Sequence, residues 1–94
     1  MHFAIINHDK PDSLELRMRT REVHLDYLRG VGDALLVAGP ILSDDGNMPI
    51  GSVVIVEADN LEAAKAFAAG DPYAKAGLFR SSTVVPWRKV FPEA

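Results

Sequence analysis

The chain has 94 residues, of which 48% are apolar and none is cysteine, and its formal net charge is −3. The lack of cysteine excludes disulfides, thiolate nucleophiles and cysteine-based zinc sites, and the slightly acidic balance disfavours nucleic-acid binding. We expect one domain over residues 1–94, without a signal peptide or membrane span and cytoplasmic by default, and the high apolar content of so short a chain favours oligomerisation.

Apolar runs separated by turn residues predict the element order β-α-β-β-α-β. The predicted strands are residues 3–7, 33–42, 50–58 and 78–91, and the predicted helices are one that ends near residue 29 and one at 61–69. Residues 74–77 are expected to be irregular. Pro40 and Pro86 cannot donate to a strand ladder, so we expect edge strands, bulges or strand ends there. The order predicts a ferredoxin-like α+β fold, with a four-stranded antiparallel sheet and both helices on one face.

The second face of this sheet is also expected to be apolar. Strands 2, 3 and 4 contain continuous apolar runs (ALLVA, VVIV and VV), where a half-solvated sheet would alternate. The simplest cover is the same face of a second subunit. We therefore predict a homodimer, a dimeric α+β barrel, with a monomer of apolar surface as the alternative and a higher assembly left open.

The first helix carries three polar residues on or beside its apolar side. Arg17, Arg21 and His24 follow the spacing i, i+4, i+7 and so form one stripe. Turning a histidine and arginines toward a buried edge costs free energy unless they have polar partners. The stripe therefore predicts a polar pocket beside this helix.

Several motifs in this order resemble one known family over essentially the whole chain. They are RxxHLxxL from Arg21, LxxAGP from Leu35, GSxVI from Gly51, LEAA from Leu61, DPY from Asp71 with a following Ala-Gly, and the closing PWRKVF. The chain resembles the YciI-like (YCII-related) family. The resemblance implies a ferredoxin-like subunit, a dimeric α+β barrel and a site built on a histidine and an aspartate, which fall on His24 and Asp71. One branch of that family resembles a dehydrochlorinase acting on a chlorinated hydroxyhydroquinone.

The topology is expected to bring His24 and Asp71 together. Strands 1 and 3 are expected to run parallel to each other, so the two helices that follow them should end at the same edge of the sheet, with His24 near the end of one and Asp71 just after the other. A carboxylate beside an imidazole orients the ring and strengthens it as a base. Pro72 keeps the Asp71 backbone out of the helical region, which fixes the direction of the carboxylate.

Other residues are candidates for substrate binding. Arg21 would stabilise an anionic oxygen, or else pair with Glu22 or Asp26 at the surface. Tyr73 would donate a hydrogen bond or form a wall of the pocket. Gly39 would shape the backbone and allow close approach of a ligand.

Other charged or reactive residues are not expected to take part in the site. Arg17 is expected to be a solvated charge. The histidines lack the HExxH spacing, so we expect no bound metal, and we expect no cofactor. Ser52 lacks a G-x-S-x-G context, so we do not expect a serine nucleophile.

These observations favour a small cofactor-independent enzyme that uses His24 and Asp71 as an acid–base pair. The substrate would be a small aromatic or anionic metabolite, and the reaction an elimination, an isomerisation or a hydrolysis. The alternative is a non-catalytic module that binds a small ligand in the same pocket.

Overall fold

The computed structural model describes residues 1–93 of the chain. Its elements are β1 (His2–Asp9), α1 (Leu14–Arg29), a 3-10 turn (Gly32–Ala34), β2 (Leu35–Leu42), β3 (Pro49–Glu57), α2 (Leu61–Gly70), α3 (Pro72–Lys75) and β4 (Phe79–Trp87). The predicted order is confirmed, with one short helix added. That helix, α3, includes residues 74 and 75, which were expected to be irregular. It forms because Asp71 caps it and Pro72 stands at its first position.

The four strands form one antiparallel sheet in the order β2-β3-β1-β4. The ferredoxin-like α+β fold is therefore confirmed. Pro40 lies in β2 and Pro86 in β4, the two edge strands, as the missing amide donor of proline requires.

The expectation that strands 1 and 3 run parallel is wrong. They are hydrogen-bonded neighbours in antiparallel register, with Ile5 opposite Val54. Because the two strands have opposite directions, the helices that follow them also have opposite directions. Contacts along α1 show this: Tyr27 bonds to Phe67, near the end of α2, and His24, one turn earlier in α1, bonds to Asp71. His24 and Asp71 thus meet where the α2–α3 corner crosses the middle of α1, and the two helix ends do not share one sheet edge.

The hydrophobic core lies between the helices and one face of the sheet. Its buried centre is Ile5, Leu28, Val54 and Val56, and the partly buried Phe67 packs against it. Burial of these side chains supplies the main stabilisation of the fold. Within residues 1–93, no helix is both long enough and apolar enough to cross a membrane.

The opposite face of the sheet is also apolar. Strand register places one layer of side chains on that face, alternating with the core layer: Ala4, Ile6, Val37, Val53, Ile55 and Val85. Val37 and Val85, on the edge strands, are exposed. We call this layer the open face.

Candidate acid–base site

The imidazole of His24 and the carboxylate of Asp71 form a buried pair. His24 Nδ1 lies 2.9 Å from Asp71 Oδ1 and 3.0 Å from Oδ2, and both residues are buried. A carboxylate can only accept hydrogen bonds, so Nδ1 carries the ring proton and donates a hydrogen bond to Asp71. The other ring nitrogen, Nε2, has no partner among residues 1–93 and is not enclosed by protein atoms. The neutral imidazole therefore presents an unshared electron pair at Nε2.

The local sequence fixes the position of the Asp71 carboxylate. Asp71 has φ −61° and ψ 132°, the extended conformation that a following proline favours. Its Oδ1 also accepts a hydrogen bond of 2.9 Å from the backbone N–H of Tyr73. Gly70 precedes it because a Cβ there would lie 2.6 Å from the Tyr27 hydroxyl oxygen. The glycine lets α2 end directly against α1, which brings Asp71 within reach of His24.

Two side chains, Tyr73 and then Arg17, stack behind the imidazole of His24. The Tyr73 ring lies 4.0 Å from the His24 ring, centroid to centroid, at an interplanar angle of 18°. The Arg17 guanidinium carbon lies 4.8 Å from the centroid of the same Tyr73 ring. Arg17 and His24 are about two helical turns apart, so the tyrosine ring lies between them. This arrangement restrains the plane of the imidazole.

The expectation that Arg17 is a solvated charge is wrong. Arg17 is only 5% exposed, and its Nη1 lies 2.9 and 3.1 Å from the two carboxylate oxygens of Asp9. Asp9 ends β1, and α1 begins five residues later, so the ion pair joins the end of the strand to the first turn of the helix. The polar stripe on α1 therefore contains one structural arginine, and a helical wheel does not show its partner on the strand.

Burial raises the pKa of the Tyr73 phenol above its usual value of 10.0, and the Asp71 charge adds to the increase against the opposing charges of Arg17 and Arg21. Burial and then the Asp71 charge also raise the pKa of Tyr27. Both hydroxyls are therefore protonated at neutral pH. Within residues 1–93 no group accepts a hydrogen bond from the Tyr73 hydroxyl, so its proton remains available to a ligand.

A cleft of about 300 Å³ lies between α1 and the β2–β3 half of the sheet. Helix α1 forms one wall and the sheet forms the other. The lining residues that contribute chemistry are Arg21, His24, Ser52 and Tyr73, and the apolar ones include Leu25, Leu28, Ala38, Pro40, Leu42 and Val54. The cleft is a mostly apolar slot with a few polar groups, as is typical of small-molecule sites.

Arg21 and Gly39 both line this cleft. The Arg21 side chain is 53% exposed, and among residues 1–93 its one carboxylate neighbour is Glu22 at 3.8 Å, so the guanidinium remains largely solvated. Asp26, the other expected partner, pairs with Arg29 instead. Gly39 contributes backbone, and a Cβ there would meet no atom within 4 Å.

Two further polar residues lie at the site: Ser52, which was considered only as a nucleophile, and Asn7, which the sequence did not single out. Ser52 lines the cleft from β3, and the Asn7 side chain on β1 donates to it at 3.0 Å. Both are buried. The available signal was alternation, since Ser52 and Val54 share the core-facing layer and a buried serine there interrupts an apolar row. In the part of the chain that the structure describes, no three His, Asp or Glu side chains converge as a metal site would require.

Comparison with known proteins places this geometry in context. The profile of the YCII-related domain matches residues 1–88. Protein YciI of Escherichia coli is 44% identical over 98 aligned residues, which cover 97% of this chain and all of the relative. An uncharacterised protein of Haemophilus influenzae is 41% identical with the same coverage.

Solved structures show the same fold. The 5-chloro-2-hydroxyhydroquinone dehydrochlorinase of Burkholderia phenoliruptrix, solved with 2,5-dihydroxybenzoquinone, has a TM-score of 0.86 and 35% identity over 94% of each chain. An antibiotic biosynthesis monooxygenase has a TM-score of 0.58 at 18% identity over 96% of this chain and 99% of its own. The second likeness concerns the fold alone.

Proposed function

The chain belongs to the YCII-related family, and on that premise we propose that it is a small acid–base enzyme acting on an oxygenated, anionic ring metabolite. The reaction that we favour is an elimination in which His24 removes a proton and a leaving group departs. A solved relative at 35% identity catalyses a dehydrochlorination, which supports this reaction class over isomerisation or hydrolysis.

The observation that carries the proposal is the pairing of His24 Nδ1 with both Asp71 oxygens at 2.9 and 3.0 Å. Asp71 holds the proton on Nδ1 and leaves Nε2 as the basic atom of a residue that lines the cleft. When Nε2 accepts a proton, the adjacent carboxylate stabilises the imidazolium. Asp71 is therefore a positioning residue, and His24 is the catalytic base.

Arg21 and Tyr73 would act on the charge that develops in the substrate. The solvated guanidinium of Arg21 lies one turn of α1 before His24 and would stabilise a phenolate or enolate oxygen. The Tyr73 hydroxyl, kept protonated by its raised pKa, would donate a hydrogen bond to the ligand. In the elimination, the electron pair left by the proton forms a new double bond, and the leaving group departs with the electrons of its own bond. For chloride, the proton on His24 and the released anion balance as HCl.

The test is chloride release and quinone formation with a panel of halogenated hydroxyhydroquinones across pH. We expect turnover in the parent protein that depends on one ionisation, and a loss of about 10²- to 10⁴-fold in His24→Ala. We expect a similar pH-dependent loss in Asp71→Ala. His8→Ala is the matched control because His8 lies outside the cleft, and it should retain full activity.

Two results would contradict the proposal. If His24→Ala turns over substrate as fast as the parent does, His24 is not the catalytic base. If no member of the panel turns over while both variants bind 2,5-dihydroxybenzoquinone as the parent does, the protein is the non-catalytic ligand-binding module.

A further inference from the structure

We propose that Ser52, oriented by Asn7, donates a hydrogen bond to a ligand oxygen at the sheet wall of the cleft, across from His24 on the helix wall. The inference rests on the proposed function only for the location of the ligand, and it adds a specificity-determining residue and its positioning partner. Neither residue belongs to the His24–Asp71 pair or to the stack behind it.

Ser52 lies on the cleft side of the sheet. In the β1–β3 register it is opposite Asn7, and in the β2–β3 register it is opposite Pro40, another residue of the cleft wall. Its side chain therefore shares the layer of Val54, which also lines the cleft. Ser52 is a polar group in an otherwise apolar sheet wall.

The hydrogen bond from Asn7 determines what Ser52 can offer a ligand. Asn7 Nδ2 donates to Ser52 Oγ at 3.0 Å, and both residues are only 3% exposed. A hydroxyl that already accepts one hydrogen bond still has its own proton to donate. No protein group in the described range 1–93 accepts that proton. Ser52 is therefore poised as a donor toward the cleft.

The orientation of the Asn7 amide agrees with this role. Asn7 Oδ1 is the one buried side-chain N or O atom in residues 1–93 without a hydrogen-bond partner. Turning the amide over would pair Oδ1 with Ser52 but would leave Nδ2, with two N–H donors, in the unpartnered position. Turned over, the amide oxygen would accept the Ser52 proton and none would be left for a ligand, whereas the present orientation leaves that proton free. A buried unpaired carbonyl costs free energy, and orienting a hydroxyl in the cleft is a function that justifies the cost.

The two walls together define a class of ligand. His24 and Arg21 on α1 face one end of the ligand, and Ser52 on β3 donates to the other end. The lining between them is apolar and includes Leu25, Ala38 and Val54. A volume of about 300 Å³ accommodates one substituted six-membered ring. The ligand that fits is a flat ring with oxygen at both ends, one end ionisable beside His24 and the other accepting from Ser52.

The experiment measures binding of two probes by calorimetry or absorbance titration. The first, 2,5-dihydroxybenzoquinone, has adjacent oxygens at both ends of its ring. The second, catechol, has adjacent oxygens at one end only, both of them phenolic hydroxyls. The proteins are the parent, Ser52→Ala, and Ser82→Ala as the matched control. Ser82 lies opposite Asn7 on the other neighbouring strand, is exposed and is not part of the cleft.

We expect Ser52→Ala to weaken binding of 2,5-dihydroxybenzoquinone about 3- to 10-fold, as the loss of one neutral hydrogen bond implies. Catechol should bind Ser52→Ala and the parent alike, and Ser82→Ala should match the parent with both probes. Equal affinity of Ser52→Ala and the parent for the two-ended probe would overturn the assignment, as would equal weakening of both probes or no binding of the first probe to the parent.

This measurement requires binding and no turnover, so it separates the two proposals. A protein that binds the two-ended probe through Ser52 but catalyses nothing would overturn the proposed activity and leave this assignment standing. If the protein is an active enzyme and Ser52→Ala does not change its affinity for the two-ended probe, this assignment is overturned and the proposed activity stands.

Discussion

At the scale of single residues, the ion pair of Arg17 with Asp9 connects the fold to the site. Both side chains are almost fully buried, at 6% and 7% exposure. Arg17 contacts the Tyr73 ring, which in turn contacts His24. The pair therefore holds the first turn of α1 to the end of β1 and supports the stack behind the imidazole.

Removing one partner of this pair should destabilise the protein severely. Arg17→Met leaves the Asp9 carboxylate buried without a counter-charge, at a cost of about 3–5 kcal/mol in the free energy of unfolding. Urea denaturation measures it. The matched control is Arg29→Met, because Arg29 pairs with Asp26 at the surface and its loss should change stability little. Equal urea midpoints of unfolding for Arg17→Met and Arg29→Met would contradict the structural role of Arg17.

The raised pKa values of the two tyrosines predict a pH dependence of stability. Each phenol binds its proton more tightly in the folded state than in the unfolded state, where the pKa has its usual value of 10.0. Their contribution to stability is therefore complete below pH 10 and is lost as the pH rises through the folded-state values. Tyrosinate absorbance should stay absent in the folded protein past pH 10 and appear together with unfolding. Its appearance at the usual pH with the fold intact would contradict the burial of Tyr27 and Tyr73.

At the scale of secondary-structure elements, the corner between α2 and α3 determines the position of Asp71. Gly70→Ala would place a Cβ 2.6 Å from the Tyr27 hydroxyl oxygen, so either the Tyr27 ring gives up its hydrogen bond to Phe67 or one of the two helices shifts. We expect a loss of about 1–3 kcal/mol. The second change Tyr27→Phe, which removes the obstructing oxygen, should recover part of the loss.

Thermal denaturation of these variants measures the effect, with Gly39→Ala as the control. A Cβ added at Gly39 would have no atom within 4 Å, so this change should be nearly neutral. If Gly70→Ala is as stable as Gly39→Ala, the corner does not depend on close approach of the helices.

Much of this element-level arrangement could be predicted from the sequence, and the failures have physical causes. The spacing of apolar residues and the turn residues between them indicated the strands and the long helices. The two prolines lie on edge strands, one of the positions expected for them. Periodicity does not specify strand direction, so the parallel assignment of strands 1 and 3 was wrong although His24 and Asp71 do meet. Helix α3 has four residues, too few for a repeat, and Arg17 was misread because its partner Asp9 lies on another element.

At the scale of the whole molecule, the open face is buried at Ala4 and Ile55 in its centre and exposed at Val37 and Val85 on the edge strands. We propose that a second copy covers it, sheet on sheet, as a homodimer. The exposed valines and the half-buried Ile6 and Val53 would then be buried in the interface. The proposal uses the same apolar runs that predicted an oligomer from the sequence.

A charge placed on the open face should separate the subunits. Light scattering should give the parent twice the 10.2 kDa of one chain, and Val37→Lys should shift the mass toward 10.2 kDa. Val23→Lys is the matched control, because Val23 on α1 is 58% exposed and Val37 is 54% exposed. A parent mass of 10.2 kDa, or equal dissociation by both lysines, would contradict the sheet-on-sheet dimer.

The proposed function depends most directly on one tautomer of His24, in which Asp71 holds the proton on Nδ1 and leaves Nε2 as a base in the cleft. Nitrogen NMR of the labelled protein reports the tautomer of this one ring directly. With the imidazole neutral, we expect a protonated Nδ1 and an unprotonated Nε2 in the parent, and a loss of that preference in Asp71→Ala. A proton on Nε2 in the parent, or the same tautomer in Asp71→Ala, would contradict it.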